Sequence, residues 1–132
     1  MTLFKVCLPK YAKVLLLEDS DMRIHWFQKK LGTNAEVKVV KTYPEFEEYL
    51  ATKPACDFTF LDHDLGFVDE HGRPGPEGDG VMAAKFLKET FGSDGHNTLI
   101  HSFNRGGAAR MQALLPRSVV LPFGQFEVEV EE

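Results

Sequence analysis

The sequence contains little cysteine, has no excess of positive charge and has no apolar run long enough to cross a membrane. Cys7 and Cys56 lie in apolar stretches rather than at the spacing of metal ligands. We therefore expect reduced, buried thiols and a cytoplasmic location. The amino end also lacks the charged segment, apolar run and small-residue cleavage site of a secretory signal.

The charge balance argues against duplex DNA as a partner. The 132 residues include 15 basic and 20 acidic side chains, which gives a net charge of −5. No overall field therefore attracts a nucleic-acid backbone. An apolar fraction of 43% with 27% charged residues is typical of a globular protein. The length predicts a single domain over residues 1–132, without a membrane partner, and leaves the oligomeric state open.

Apolar runs and amphipathic stretches alternate along the chain. Strands are predicted at 13–19, 36–42, 56–62, 97–103 and 118–123, and helices at 20–32, 44–53, 80–92 and 106–115. This alternation predicts an α/β three-layer sandwich with a doubly wound, mainly parallel five-stranded sheet between helices. The terminal stretches "LFKVCL" and "QFEVEVEE" resemble strands, and we expect them to add to a sheet edge, where they could pair with each other.

Polar side chains follow three of the predicted strands, at the edge where a doubly wound sheet binds its ligands. They are Glu18 and Asp19 after the first strand, Asp62, His63 and Asp64 after the third, and His101, Ser102 and Asn104 after the fourth. Adjacent carboxylates repel unless a proton or a metal ion lies between them. Each residue taken singly could be a cap or a turn, but the whole set predicts a functional site at this edge.

The residue types suit phosphate chemistry. Two histidines, His63 and His101, can act as base and acid near neutral pH, although either could instead be a buried histidine bonded to a backbone carbonyl. Asp19, Asp62 and Asp64 offer the oxygen ligands that Mg²⁺ or Mn²⁺ prefers. The start of the last predicted helix is expected to bind an anion through Arg105, Gly106 and Gly107.

The arrangement resembles the receiver domain of response regulators. That resemblance implies an acidic pair at Glu18 and Asp19 that holds a metal ion together with Asp62, and a small hydroxyl residue at Ser102. Receivers carry a lysine before a proline-phenylalanine pair after their last strand, whereas "LPF" places Leu121 there. The resemblance therefore implies the receiver fold without an ordinary phosphorylation switch.

The chain is more similar to a receiver-derived family, the cyclic-phosphate processing receiver domain. The motifs that carry this resemblance are "LDHDLG" at 61–66, "GDGVMAAKFL" at 78–87 and "HSFNRGGAARM" at 101–111. Together with the chemistry of the strand-end residues, these motifs lead us to expect a catalytic group of His63, His101, Ser102 and Asn104 and a metal site of Glu18, Asp19, Asp62 and Asp64.

Three functions compete at this stage. The first is a metal-assisted phosphoesterase that uses Mg²⁺ or Mn²⁺ to act on a cyclic or terminal phosphate of a nucleotide or RNA end. The second is a non-catalytic receiver-like module that binds a partner protein or a nucleotide. The third is a phospho-acceptor receiver at Asp62, which the leucine at position 121 disfavours. A compact domain of this kind suits a phage or bacterial protein.

Overall fold

A computed structural model describes residues 3–62, 79–92 and 97–132. His63, Asp64 and nearly all of the glycine- and proline-rich stretch that follows them lie outside the described residues.

The centre of the fold is a parallel sheet of five strands. In chain order these are β2 (Ala12–Leu17), β3 (Ala35–Val40), β4 (Phe58–Leu61), β5 (Asn97–Ile100) and β6 (Val119–Val120). Their order across the sheet is β3-β2-β4-β5-β6, and every neighbouring pair runs in parallel. The middle strands are mostly apolar and mostly buried, as expected for a sheet covered on both faces. The predicted three-layer, doubly wound α/β fold is confirmed.

Four helices connect the strands in the predicted order. They are α1 (Asp21–Leu31), α2 (Tyr43–Ala51), α3 (Gly80–Phe91) and α4 (Arg105–Leu114). Each begins at a polar side chain that accepts a hydrogen bond from the first helical turn, namely Ser20, Thr42, Asp79 and Asn104. All four helix starts follow strand ends, so they face the same edge of the sheet. None of the helices in the described ranges is long and apolar enough to cross a membrane.

The two faces of the sheet carry separate apolar cores. One core joins α2, α3 and α4 to the sheet, and its largest buried side chain is Phe46. The other joins α1 to the sheet through Ile24, Phe27 and Leu31, which pack on Leu16 and other strand residues. Within the described residues this second face carries one helix, so more of its area remains to be covered.

The chain termini cover that remaining area. Strand β1 (Phe4–Leu8) pairs in parallel with β7 (Phe126–Val130), and β7 packs beside α1 through Phe126 and Val128. The expected pairing of the two terminal stretches is therefore observed. Its place differs from the expectation, because the pair forms a separate two-stranded sheet rather than an edge of the main one. Apolar side chains such as Phe126 are buried in this layer, whereas at an edge of the main sheet they would have been exposed.

Candidate functional site

The backbone ladder continues one residue beyond three neighbouring strands. The amide of Glu18 donates to the carbonyl of Val40 (3.1 Å), that of Asp62 to Leu17 (3.1 Å) and that of His101 to Leu61 (2.9 Å). Side chains alternate along a strand, so these three residues face the side of the sheet that α1 covers. All three side chains are buried. The predicted meeting of strand-end residues therefore includes a buried acid–imidazole cluster.

Glu18 is held by five hydrogen bonds. Its Oε1 accepts from Nε of Arg23 (2.6 Å) and lies 3.1 Å from Nε2 of His101. Its Oε2 accepts from Nη2 of Arg23 (3.1 Å) and from the backbone amides of Asp19 (2.9 Å) and Ser20 (3.1 Å). A carboxylate has about four lone-pair positions, so both oxygens of Glu18 are saturated.

These contacts keep the Glu18 carboxyl ionised. Burial alone would raise its pKa, but the hydrogen bonds from His101 and Arg23 outweigh that effect and lower the pKa to about 2. An ionised carboxylate only accepts hydrogen bonds, so Nε2 of His101 carries the proton and donates it. The imidazole is thereby fixed in one tautomer.

His101 is enclosed on all sides. Its side chain has no exposed surface, and its ring centroid lies 5.1 Å from that of Phe27. Burial lowers the pKa of His101, so the imidazole is neutral at physiological pH. Its Nδ1 atom has no hydrogen-bond partner within the described ranges. The position predicted as catalytic is thus a buried imidazole that orients Glu18, and its acid–base role stays a prediction.

Arg23 links the two acidic strand ends, and sequence reasoning missed it. Its Nη2 lies 3.5 Å from Oδ2 of Asp62 as well as 3.1 Å from Glu18. The side chain is 25% exposed, so Arg23 is only partly buried. A signal for this contact exists in the sequence: Arg23 comes three residues after the capping Ser20 and four before the buried Phe27, at the border of the buried face.

The motif "HSFNRGGAARM" follows β5 and begins α4, and its residues are held by local hydrogen bonds. Ser102 is buried, and its Oγ accepts a hydrogen bond from the amide of Asn104 (3.0 Å). Asn104 in turn caps α4 by accepting from the amide of Gly107 (2.8 Å). Of the residues predicted to bind phosphate, Gly107 therefore has its amide engaged in the cap, whereas Arg105 and Gly106 are exposed at the helix start.

The possible ligands of a metal ion are a buried cluster and the predicted carboxylates Asp19 and Asp64. Glu18, Asp62 and His101 offer ligand atoms within 4.8 Å of one another, but the first of these already receives five hydrogen bonds. Asp19 is half-buried and follows Glu18 directly at the end of β2. Asp64, also predicted as a ligand, lies outside the described residues, as does the predicted base His63.

Comparison with known proteins identifies the family. The profile of the cyclic-phosphate processing receiver domain matches residues 14–117, which run from within β2 to the turn before β6. The chain belongs to this family. No curated protein matched the sequence.

Solved structures similar to this cyclic-phosphate processing receiver are response-regulator receivers. A receiver protein from Sinorhizobium medicae has a TM-score of 0.66 at 18% identity, over 86% of this chain and 82% of that one. The receiver domain of Thermotoga maritima CheB has 0.61 at 16%, over 89% and 81%. The Mn²⁺-bound response regulator Rcp1 has 0.63 at 19%, over 84% and 80%. At these identities the likeness establishes the fold alone.

This family member differs from ordinary receivers after its last central strand. Leu121 follows β6, donates its amide to the carbonyl of Ile100 (3.0 Å) and packs against the apolar core on the α1 face. A partly buried leucine that packs against this core therefore stands where the receiver resemblance implies a lysine. Among the described residues, Arg23 of α1 brings a positive charge close to Asp62.

Proposed function

We propose that this chain hydrolyses a cyclic or terminal phosphate ester of a nucleotide or RNA end, in the cytoplasm, at the carboxyl edge of its sheet. The observation that carries the proposal is the ion-paired cluster of the buried carboxylates Glu18 and Asp62 with the partly buried Arg23, in a member of the cyclic-phosphate processing family. Buried ion pairs stabilise a fold little compared with apolar residues of similar volume. Such a cluster at a ligand-binding edge is therefore better explained by chemistry than by folding.

The reaction needs few protein groups. Water attacks the phosphorus, the bond to one ribose oxygen breaks, and that oxygen takes a proton to leave a phosphomonoester and a hydroxyl. His63 follows Asp62 directly in the sequence and is our choice for the acid–base group, because His101 is enclosed. The exposed start of α4, with Arg105 and the amide of Gly106, is our choice for binding the phosphoryl oxygens.

A divalent ion fits this edge through part of the predicted ligand set. Asp19 and Asp62 end neighbouring strands, and carboxylate oxygens suit Mg²⁺ or Mn²⁺. The saturated Glu18 is assigned instead to holding Arg23, and Asp64 remains a proposed ligand from the sequence. When bound, such an ion would polarise the phosphoryl oxygens.

A second function has an observation in its favour. If the enclosed His101 is purely structural, the edge loses one of its two predicted acid–base groups, which favours a module that binds a nucleotide or partner without turning it over. The third possibility, a phospho-acceptor receiver, is disfavoured because Leu121, an apolar side chain packed against the core, stands where receivers carry a lysine.

The test is a direct assay of purified protein. Nucleoside 2′,3′-cyclic phosphates and RNA with a 2′,3′-cyclic end are incubated with and without Mn²⁺, and products are separated by chromatography. We expect hydrolysis by wild type, its loss in Asp62→Asn, and full retention in Lys41→Gln, which changes an exposed ion pair near the same edge. If the protein binds a nucleotide but does not hydrolyse it with any metal or at any pH, the binding-module hypothesis would be favoured over the enzyme hypothesis.

A further inference from the structure

Arg23 lies in the place of a cation between two strand-end carboxylates. Its guanidinium makes two bonds to Glu18, at 2.6 and 3.1 Å, and its Nη2 is 3.5 Å from Oδ2 of Asp62. Asp62 is also one of the groups whose ligand atoms, with those of Glu18 and His101, lie within 4.8 Å of one another. A guanidinium and a divalent ion are therefore alternatives for the same carboxylate.

The two contacts of Arg23 are unequal. The two parallel bonds to Glu18, one of them short, involve a carboxylate without exposed surface, a geometry that is strong and directional. The contact with Asp62 is longer and single, so it is the weaker of the two. A cation that approaches Asp62 displaces this weaker contact of Arg23, while Glu18 continues to hold the guanidinium nearby.

We propose that Arg23 is a positioning residue that competes with a divalent ion for Asp62, so that Glu18 stays outside the ion's ligand set. The inference rests on the proposed function only in its use of a metal ion at this edge. Arg23 neutralises part of the acidic cluster when the ion is absent, and it lowers the affinity for the ion by charge repulsion when the ion is present. Glu18 acts through Arg23.

The affinity for Mn²⁺ alone tests this competition, with no substrate present. Isothermal titration is compared for wild type, Arg23→Gln and Arg23→Lys. Removal of a positive charge a few ångströms from a divalent ion should tighten binding by ~10-fold or more in Arg23→Gln. Arg23→Lys keeps the charge and should stay closer to wild type. Lys41→Gln is the matched control, since it removes an exposed cation that also lies near Asp19, and it should change the affinity by less than ~2-fold.

A second pair of variants covers the case in which Arg23→Gln leaves the buried Glu18 charge without its partner and unfolds the chain. Glu18→Gln and the double variant Glu18→Gln/Arg23→Gln differ only in Arg23, and the double variant contains neither buried charge. We expect the double variant to bind Mn²⁺ ~10-fold or more tightly than the single one, and Asp62→Asn to abolish that gain.

The outcomes separate the two proposals. Equal Mn²⁺ affinities with and without Arg23, or no Mn²⁺ binding in any variant, would overturn the competition, whatever the hydrolysis assay shows. Tighter binding without Arg23, together with no hydrolysis by wild type, would support the competition and reject the enzyme. Tighter binding that survives Asp62→Asn would also overturn it, because the ion would then lie elsewhere.

Discussion

Among the single residues, Glu18 departs furthest from the surroundings that its type prefers. A glutamate is rarely fully buried, yet this one has no exposed surface. Its charge is tolerated because a guanidinium, an imidazole and two backbone amides replace the lost water. Since these donors come from β2, α1 and β5, the carboxylate fixes three elements relative to one another at the proposed site.

The buried imidazole predicts how stability depends on pH. Burial lowers the pKa of His101, so the folded chain keeps this side chain neutral at pH values where the unfolded chain, with a pKa near 6.5, takes up a proton. Below about pH 6.5 the unfolded state binds more protons, so the free energy of unfolding should fall as the pH falls. Urea unfolding at intervals from pH 8 to pH 5 measures this slope.

His101→Gln is the control for that slope. Glutamine can still donate to Glu18 but cannot take up a proton near neutral pH, so the part of the slope between pH 6.5 and 5 that His101 causes should disappear. The pKa of Glu18, lowered from 4.5 to about 2, adds a separate loss of stability only between those two pH values. An identical slope in wild type and variant would mean that other groups cause the acid dependence.

The sequence predicts the positions of the site residues better than their roles. Glu18, Asp62 and His101 were found because polar residues that directly follow apolar strands must meet at one edge. Their roles depend on which side chain covers them, and that side chain, Arg23, belongs to a helix whose charged residues resemble a solvated face. Three-dimensional packing alone distinguishes an exposed imidazole from the enclosed one at position 101.

At the level of elements, a methyl group added at Gly106 tests whether the start of α4 binds phosphate. A Cβ atom at Gly106 would lie 3.7 Å from its nearest neighbours, which is ordinary contact, so Gly106→Ala fits the fold. Alanine favours a helix over glycine by about 0.5–1 kcal/mol, so the variant should be at least as stable as wild type. If a phosphoryl oxygen sits on the Gly106 amide, hydrolysis should nevertheless fall by ~10-fold or more, and chromatographic product assays measure this.

Ala109→Ser, on an exposed position of the same helix, is the matched control and should keep both stability and activity. Full activity in Gly106→Ala would mean that the anion does not approach this amide closely.

In the two-stranded terminal sheet, Phe4 of β1 and Phe126 of β7 are paired, but one side chain is exposed and the other is buried. Phe126 is buried among Trp26, Phe27, Phe60 and Phe123, whereas its partner in the ladder, Phe4, is 66% exposed. We expect Phe126→Ala to lower the free energy of unfolding by about 3–5 kcal/mol through lost burial and a cavity. Phe4→Ala should have a much smaller effect, and urea unfolding compares the two. Similar effects would contradict the view that β7 replaces a covering helix on this face.

The elements themselves could be predicted from local pattern. Apolar runs, capping residues and amphipathic spacing are properties of neighbouring residues, so the five central strands and four helices follow from the sequence. The terminal strands were harder, because pairing between residues 4–8 and 126–130 is a contact between the two ends of the chain. Sequence pattern indicates that both are strands but does not fix which layer they enter.

The whole molecule combines a receiver fold with a changed arrangement of charges. The parallel five-stranded sheet and its helices match the fold of response-regulator receivers. Within the described part of this chain, Arg23 of α1 is a cation beside Asp62, and the residue after β6 is a partly buried leucine that packs against the apolar core. Identical topology therefore does not imply identical function, because function depends on the groups that the edge presents.

That difference predicts the response to a small phosphoryl donor. With acetyl phosphate and Mg²⁺, an ordinary receiver transfers a phosphoryl group to its strand-end aspartate. Here we expect no lasting acyl phosphate at Asp62, because Leu121 offers no positive charge to the phosphoryl oxygens and Arg23 is bonded to Glu18. Intact-mass spectrometry measures the added phosphoryl group, with an ordinary receiver as the positive control and Asp62→Asn as the negative one. A stable phosphorylated form that is absent in Asp62→Asn would instead indicate a phospho-acceptor receiver. Arg23 would then supply the positive charge that a lysine supplies in ordinary receivers.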